Sequence, residues 1–143
     1  MKTLIIVLFS LLAAQTISAQ DAKIPAEKKS LIVENLNAGV KSENVGLHTS
    51  AALVLSDLIN HSYLQSNDAS KTMIPLLKLL KQGKTDEERI AAAVALYQLG
   101  NAIGIYSLKC VAVSDNNSKV AQICKNLYYS YHKLHNTEYL VSF

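Results

Sequence analysis

Few side chains in this chain stand at spacings that could do chemistry. Cys110 and Cys124 are its two cysteines. Read onto consecutive antiparallel helices, they differ in height by about one helical turn, so a disulfide is within reach but not forced. Cys124 falls on the expected core face, which favours a pair of inert thiols. His132, His135 and Glu138 recur at i, i+3, i+6, a spacing from which a metal site can be imagined. Steps of three drift around a helix, so the triplet reads as a solvated helix end and no metal ligand is assigned. His48 and His61 have no Ser, Cys or Asp at local spacing that would suggest a triad, and both read as surface histidines. No catalytic residue and no cofactor is assigned, and the chain reads as a non-enzyme.

Aromatic residues offer recognition rather than reaction. On a helix after Asn117, Tyr131 shares the face of Val120 and belongs to the core, whereas Tyr129 points the other way. Tyr129, with its neighbour Tyr128, is therefore the expected partner-binding pair, since tyrosine is enriched where binding energy concentrates.

The elements that must position these residues read as helices almost throughout, with no sustained alternation of period two. Leu31, Ile32, Leu36 and Val40 mark a first helix over Ser30–Lys41. Leu47, Ala51, Val54, Leu55 and Leu58 mark the buried stripe of a second. A third carries Met73, Ile74, Leu76, Leu77, Leu79 and Leu80, apolar nearly all round, with Pro75 tolerated near its start and Gly83 in a left-handed position at its end. Thr85-Asp86-Glu87-Glu88 is a capping box that opens the Ala-rich fourth helix, which Gly100 and Asn101 close. A fifth helix holds Ile103, Ile105, Leu108 and Val111. After the turn at Asp115–Ser118, a sixth holds Val120, Ile123, Cys124, Leu127 and Tyr131.

Lys2 and the apolar run Leu4–Ala14, followed by Ile17-Ser18-Ala19, have the form of a signal peptide over residues 1–19, cleaved after Ala19. The run is shorter than the roughly 20 apolar residues a membrane span needs. The expected protein is periplasmic or secreted and not integral to a membrane. Residues 20–29, with Pro25, read as a disordered lead-in, residues 30–135 as one domain, and 136–143 as a tail. The formal charge of +3 is spread along the sequence and gives no stripe for nucleic acid.

Three successive helix pairs share a pattern: Leu47, Ala51, Ala52 and Leu58 in the first, Ile74–Leu77 and Ala92–Gly100 in the second, Leu99-Gly100-Asn101, Leu108, Ser114-Asp115-Asn116, Val120 and Leu127 in the third. The pattern resembles the HEAT-repeat class, in particular the short HEAT-like repeats first named from phycobiliprotein lyases. The resemblance implies an all-α fold, a short right-handed α-α superhelix of three hairpins, and protein–protein recognition by the exposed second helices. Lysine and asparagine at 125 and 126 depart from the small apolar residues usual there, which suits a degenerate terminal repeat. The expected role is an exported scaffold holding a protein or peptide. The alternatives are a small-molecule-binding protein or small enzyme with a pocket between helices, and a homo-oligomer joined through open stack ends.

Overall fold

A computed structural model describes residues 24–135. Residues 1–23 and the tail 136–143 lie outside this description, and with them the expected signal peptide, the expected cleavage point and Glu138. The described residues form six α-helices and no strand: α1 (Ala26–Val40), α2 (Val45–Asn60), α3 (Met73–Gln82), α4 (Asp86–Leu99), α5 (Ala102–Ser114) and α6 (Ser118–Leu134). A short 3-10 turn, Ser70–Thr72, precedes α3. None of these helices is long and apolar enough to cross a membrane.

Local sequence explains most of the boundaries. Asn44, Thr85, Asn101 and Asn117 each accept a backbone N–H from the first turn that follows, at α2, α4, α5 and α6. At α4 both bonds of the expected capping box are present. Gly100 closes α4 at φ 61°, ψ 14°, a left-handed geometry that glycine adopts without a Cβ penalty. Gly83 does not do the same for α3. Its φ is −56° and ψ 139°, an extended exit that leads straight into the cap at Thr85. The first helix begins at Ala26 rather than Ser30, with Pro25 at its N-cap, where its lack of an N–H removes nothing. Residues 26–29 of the expected lead-in are thus helical.

The helices pair as α1 with α2, α3 with α4 and α5 with α6, and the second members α2, α4 and α6 pack in a row with α4 in the middle. Close approach in that row depends on small side chains. Ala91, Ala92, Ala93 and Ala95 of α4 and Ala51 and Ala52 of α2 are all buried. In the first hairpin, a Cβ added at Gly39 would lie 2.7 Å from the Ala51 Cβ, so α1 and α2 touch nearly backbone to backbone. Around these contacts stand Leu55, Leu76, Leu80, Leu96, Leu108 and Val120, each fully buried.

Two predicted faces are rotated. In α2 the buried set is His48, Ala51, Ala52, Leu55 and Ser56, while Leu47 and Val54 of the expected stripe are about half exposed. One contact that fits this rotation is with α1, where Ala51 lies against Gly39 and a larger side chain would hold the helices further apart. In α3, Ile74 is 67% exposed, so this helix is not enclosed on every side.

Gly39→Ala tests the close approach. The added methyl has no room without movement of α1 against α2, and the expected loss is about 1–3 kcal/mol by urea denaturation. An unchanged or raised midpoint, as alanine's helix propensity alone would give, contradicts it.

Candidate functional site

The sequence left His48 on the surface, and the structure buries it. The reason is a partner forty residues away. His48 Nε2 meets Glu88 Oε1 in a close charge-assisted hydrogen bond, and Glu88 is 1% exposed. On the other side of the ring, Nδ1 lies 3.0 Å from the Ser42 carbonyl, which can only accept, so Nδ1 carries hydrogen. Exactly one further proton must therefore lie between Nε2 and the carboxylate. Burial pushes the Glu88 carboxyl up. That effect is outweighed by the Thr85 N–H donated to Oε2 at 2.6 Å, by the hydrogen bond and charge of His48, and by the Lys84 N–H. The net direction is down, which favours the carboxylate form of Glu88. Glu88 thus completes the capping box of α4 and ties α4 to α2.

The adjacent residue makes a second tie. Arg89 forms a bidentate pair with Asp115, one arm at 3.2 Å and the other shorter, and its Nε donates to the Leu80 carbonyl at 2.8 Å. Asp115 also accepts the Asn117 N–H at 2.9 Å, and Asn117 Nδ2 donates to Asp86 at 2.6 Å. Bonding to Arg89 holds the Asp115 carboxyl below its usual range, against a smaller opposing effect of burial. These bonds fasten the α3 end, the α4 start and the α5–α6 turn to one another.

Above the His48–Glu88 pair lies an open cavity of about 870 Å³ between the first two hairpins. Its walls carry Lys41, Lys71, Lys78 and Lys84, with Val40, Ile74, Pro75 and Leu79 as apolar surface. Lys71, Ile74, Lys78 and Gln82 share one face of the 3-10 turn and α3, since they follow at i, i+3, i+7 and i+11. All four lysines are exposed, and none is in an ion pair with a described carboxylate. Glu43 is the one exposed acid on the walls. A cavity of about 700 Å³ near Tyr97 and Tyr131 has no lysine, arginine or carboxylate in its lining.

Sequence reasoning missed this site because its charges come from different turns. The Lys71–Ile74–Lys78 face was readable from spacing, whereas its meeting with Lys41 and Lys84 follows from the packing of α2 on α4.

The other candidates fall elsewhere. Tyr128 is only 2% exposed and cannot be a partner-binding residue as expected. It follows Val120 and Cys124 at steps of four, which puts it on their buried face with His132. Tyr129 is half-buried rather than exposed, edge-on to Tyr128 at 6.2 Å, with the Lys125 ammonium 6.0 Å over its ring. Tyr131 packs on the core and donates its hydroxyl to the Gly100 carbonyl at 3.1 Å. His132 is buried against Tyr128, at 4.4 Å between ring centres, so it is not a solvated helix end. His135 Nδ1 donates to the Tyr131 carbonyl at 2.8 Å. Among the described residues no group of His, Cys, Asp and Glu side chains converges as a metal set. Cys110 and Cys124 stand as free thiols, Cys110 half-buried and Cys124 buried. Burial, aided by the Asp115 charge, pushes the Cys124 thiol up to about 12.

His48→Ala loses about 3 kcal/mol or more in urea, since it strands the buried Glu88 carboxylate, and Glu88→Ala loses stability too, since it removes the cap and leaves a buried imidazole nitrogen unpaired. Glu88→Gln retains the cap and loses less than Glu88→Ala. Because Glu88 and Asp115 both titrate below their ordinary values, their contribution is complete above those values and lost as pH falls through the folded ones. Stability should therefore climb with pH below about 4.5 and climb less steeply in Glu88→Gln. A pH slope unaltered by Glu88→Gln would remove Glu88 from the account. For the thiols, native protein should leave Cys124 unlabelled by iodoacetamide, and denatured protein should label both cysteines without reductant. A need for reductant, with a two-dalton gain, would reveal a disulfide instead.

No family model, curated protein or solved structure matches the chain.

Proposed function

We propose that this chain is an exported, non-catalytic binding module of HEAT-like build, a short right-handed superhelix of three hairpins. In this reading it holds a protein or peptide partner in the groove between its first and second hairpins, rather than on Tyr128 and Tyr129. The observation that carries the reading is the coincidence, in one open cavity, of exposed Ile74 with four lysines that have no ion-pair partner among the described residues. Such a combination suits an extended segment with both charge and side-chain anchors.

The groups that might have done chemistry support a binding role. His48 has both ring nitrogens engaged, so neither is available to take a substrate proton. Both Glu88 oxygens are bonded. The Cys124 thiol, raised to about 12 and buried, is a poor nucleophile. Export is inferred from the Leu4–Ala14 run and the small residue at Ala19.

Self-association is a second reading with its own observation. Ile103, Tyr106 and Val113 line one side of α5, each more than half exposed, with half-buried Cys110 between them. This i, i+3, i+7, i+10 stripe is the kind of apolar surface a second copy could cover.

A photocrosslinking residue placed at Ile74 or at Ile103 in the full chain, used in cells, separates these readings. The groove reading expects Ile74 to yield a discrete adduct, lost from Lys78→Glu/Lys84→Glu protein, and Ile103 to yield none. An adduct of twice the chain mass from Ile103, with nothing from Ile74, would replace it by self-association.

A further inference from the structure

We propose that the occupant of the groove is an acidic peptide segment carrying an aliphatic side chain, and that the lysines select it by charge. The inference rests on the binding-module reading and names its partner's chemistry.

Glu88 is the most deeply placed carboxylate on the groove wall, and its charge is spent internally on His48. Sharing one proton, the two contribute no net charge to the groove. What remains exposed is four ammonium groups against the single carboxylate of Glu43. Two other lysines of the described surface stand near acids: Lys29 is 3.9 Å from Asp68, and Lys119 is 4.0 Å from Asp86 and 3.8 Å from Glu87. The groove lysines do not, and they converge on one concavity where their potentials add. A second positive partner is repelled there, and a neutral one leaves the charges unused.

Apolar chemistry narrows the class. Ile74, 67% exposed, lies between Lys71 and Lys78 on the same helical face, with Pro75 and Leu79 beside it. A free inorganic anion would use the lysines and leave that aliphatic floor wet. A segment alternating glutamate with leucine uses both, setting carboxylates on the ammonium groups and an aliphatic side chain on Ile74. The ammonium groups sit on flexible stems, so recognition is of charge and spacing rather than of the fixed bidentate geometry arginine would impose.

The test uses fluorescence anisotropy of labelled peptides of equal length with the full chain: one of glutamate and leucine, one of glutamate alone, one of lysine and leucine. The glutamate–leucine peptide is expected to bind tightest. Its affinity should weaken with added salt and fall at least tenfold in Lys78→Glu/Lys84→Glu, and also in the milder Lys78→Gln/Lys84→Gln. Ile74→Ser should weaken it toward the glutamate-only peptide. Unchanged thermal melting shows that these exposed substitutions leave the fold intact. Equal binding of the lysine–leucine peptide, or glutamate–leucine binding untouched by the charge reversals, would overturn the acidic assignment. No binding of any peptide would overturn it too. An Ile74 crosslink in cells would in that case still stand, so loss of the acidic assignment is distinguishable from loss of the groove.

Discussion

The arrangement depends on two neighbouring residues in the first turn of α4. Glu88 reaches His48 of α2, and Arg89 reaches Asp115 at the end of α5. The central helix is thereby fixed to the hairpin before it and the hairpin after it from a single turn of backbone. Apolar packing alone would specify this less sharply. More than half of the buried residues of α4 are alanine, whose short side chains permit close approach but offer few interlocking shapes to set rotation or sliding. Directional bonds to a buried histidine and a bidentate carboxylate do set them.

The same network builds the groove's walls. His48 holds the Ser42 carbonyl, and Lys41 is the residue before it. Glu88 holds the Thr85 N–H, and Lys84 is the residue before that. Two turns that would otherwise be independent are tied to the two ends of one ion pair. The lysine backbones are thus positioned although their side chains are free to move. A hydrophobic replacement of a buried ion pair is often no less stable. What such a replacement would lose here is the tie to the two turns, and with it the placement of Lys41 against Lys84.

Local signals were legible in the sequence and long-range ones were not. Thr85 and Glu88 declare the α4 start because both halves of a capping box lie three residues apart. Gly100 and Asn101 declare the next break because a left-handed residue and an N-cap follow one another. The face of α2 was not legible. Leu47 and Val54 have the stronger claim to burial by hydropathy, yet His48 and Ser56 are inside and those two are half outside. The histidine's burial is made favourable by Glu88, forty positions on, and no periodicity within α2 carries that information. Tyr128 failed differently. It sits at steps of four from Val120 and Cys124, a register that competes with the step of eleven from Val120 to Tyr131. Both tyrosines turn out to contribute, Tyr128 inside and Tyr131 at the boundary with its hydroxyl on Gly100.

The surface left for recognition is a consequence of how the acids are used. The chain has 14 lysines and arginines against 11 aspartates and glutamates, a modest excess that predicts no strongly charged face. Structure makes it uneven. Glu88 turns inward to His48, Asp115 to Arg89, and Asp86 to Asn117 and Lys119. All of these acids belong to the ties around α4, so the ties draw negative charge away from the groove's mouth. Lys41, Lys71, Lys78 and Lys84 are left lining it. Like charges so placed raise the free energy of the unoccupied groove slightly and lower it when a carboxylate enters. The interaction that orders the hairpins and the charge that would recruit a partner are in this sense one feature, seen from the inside and from the outside.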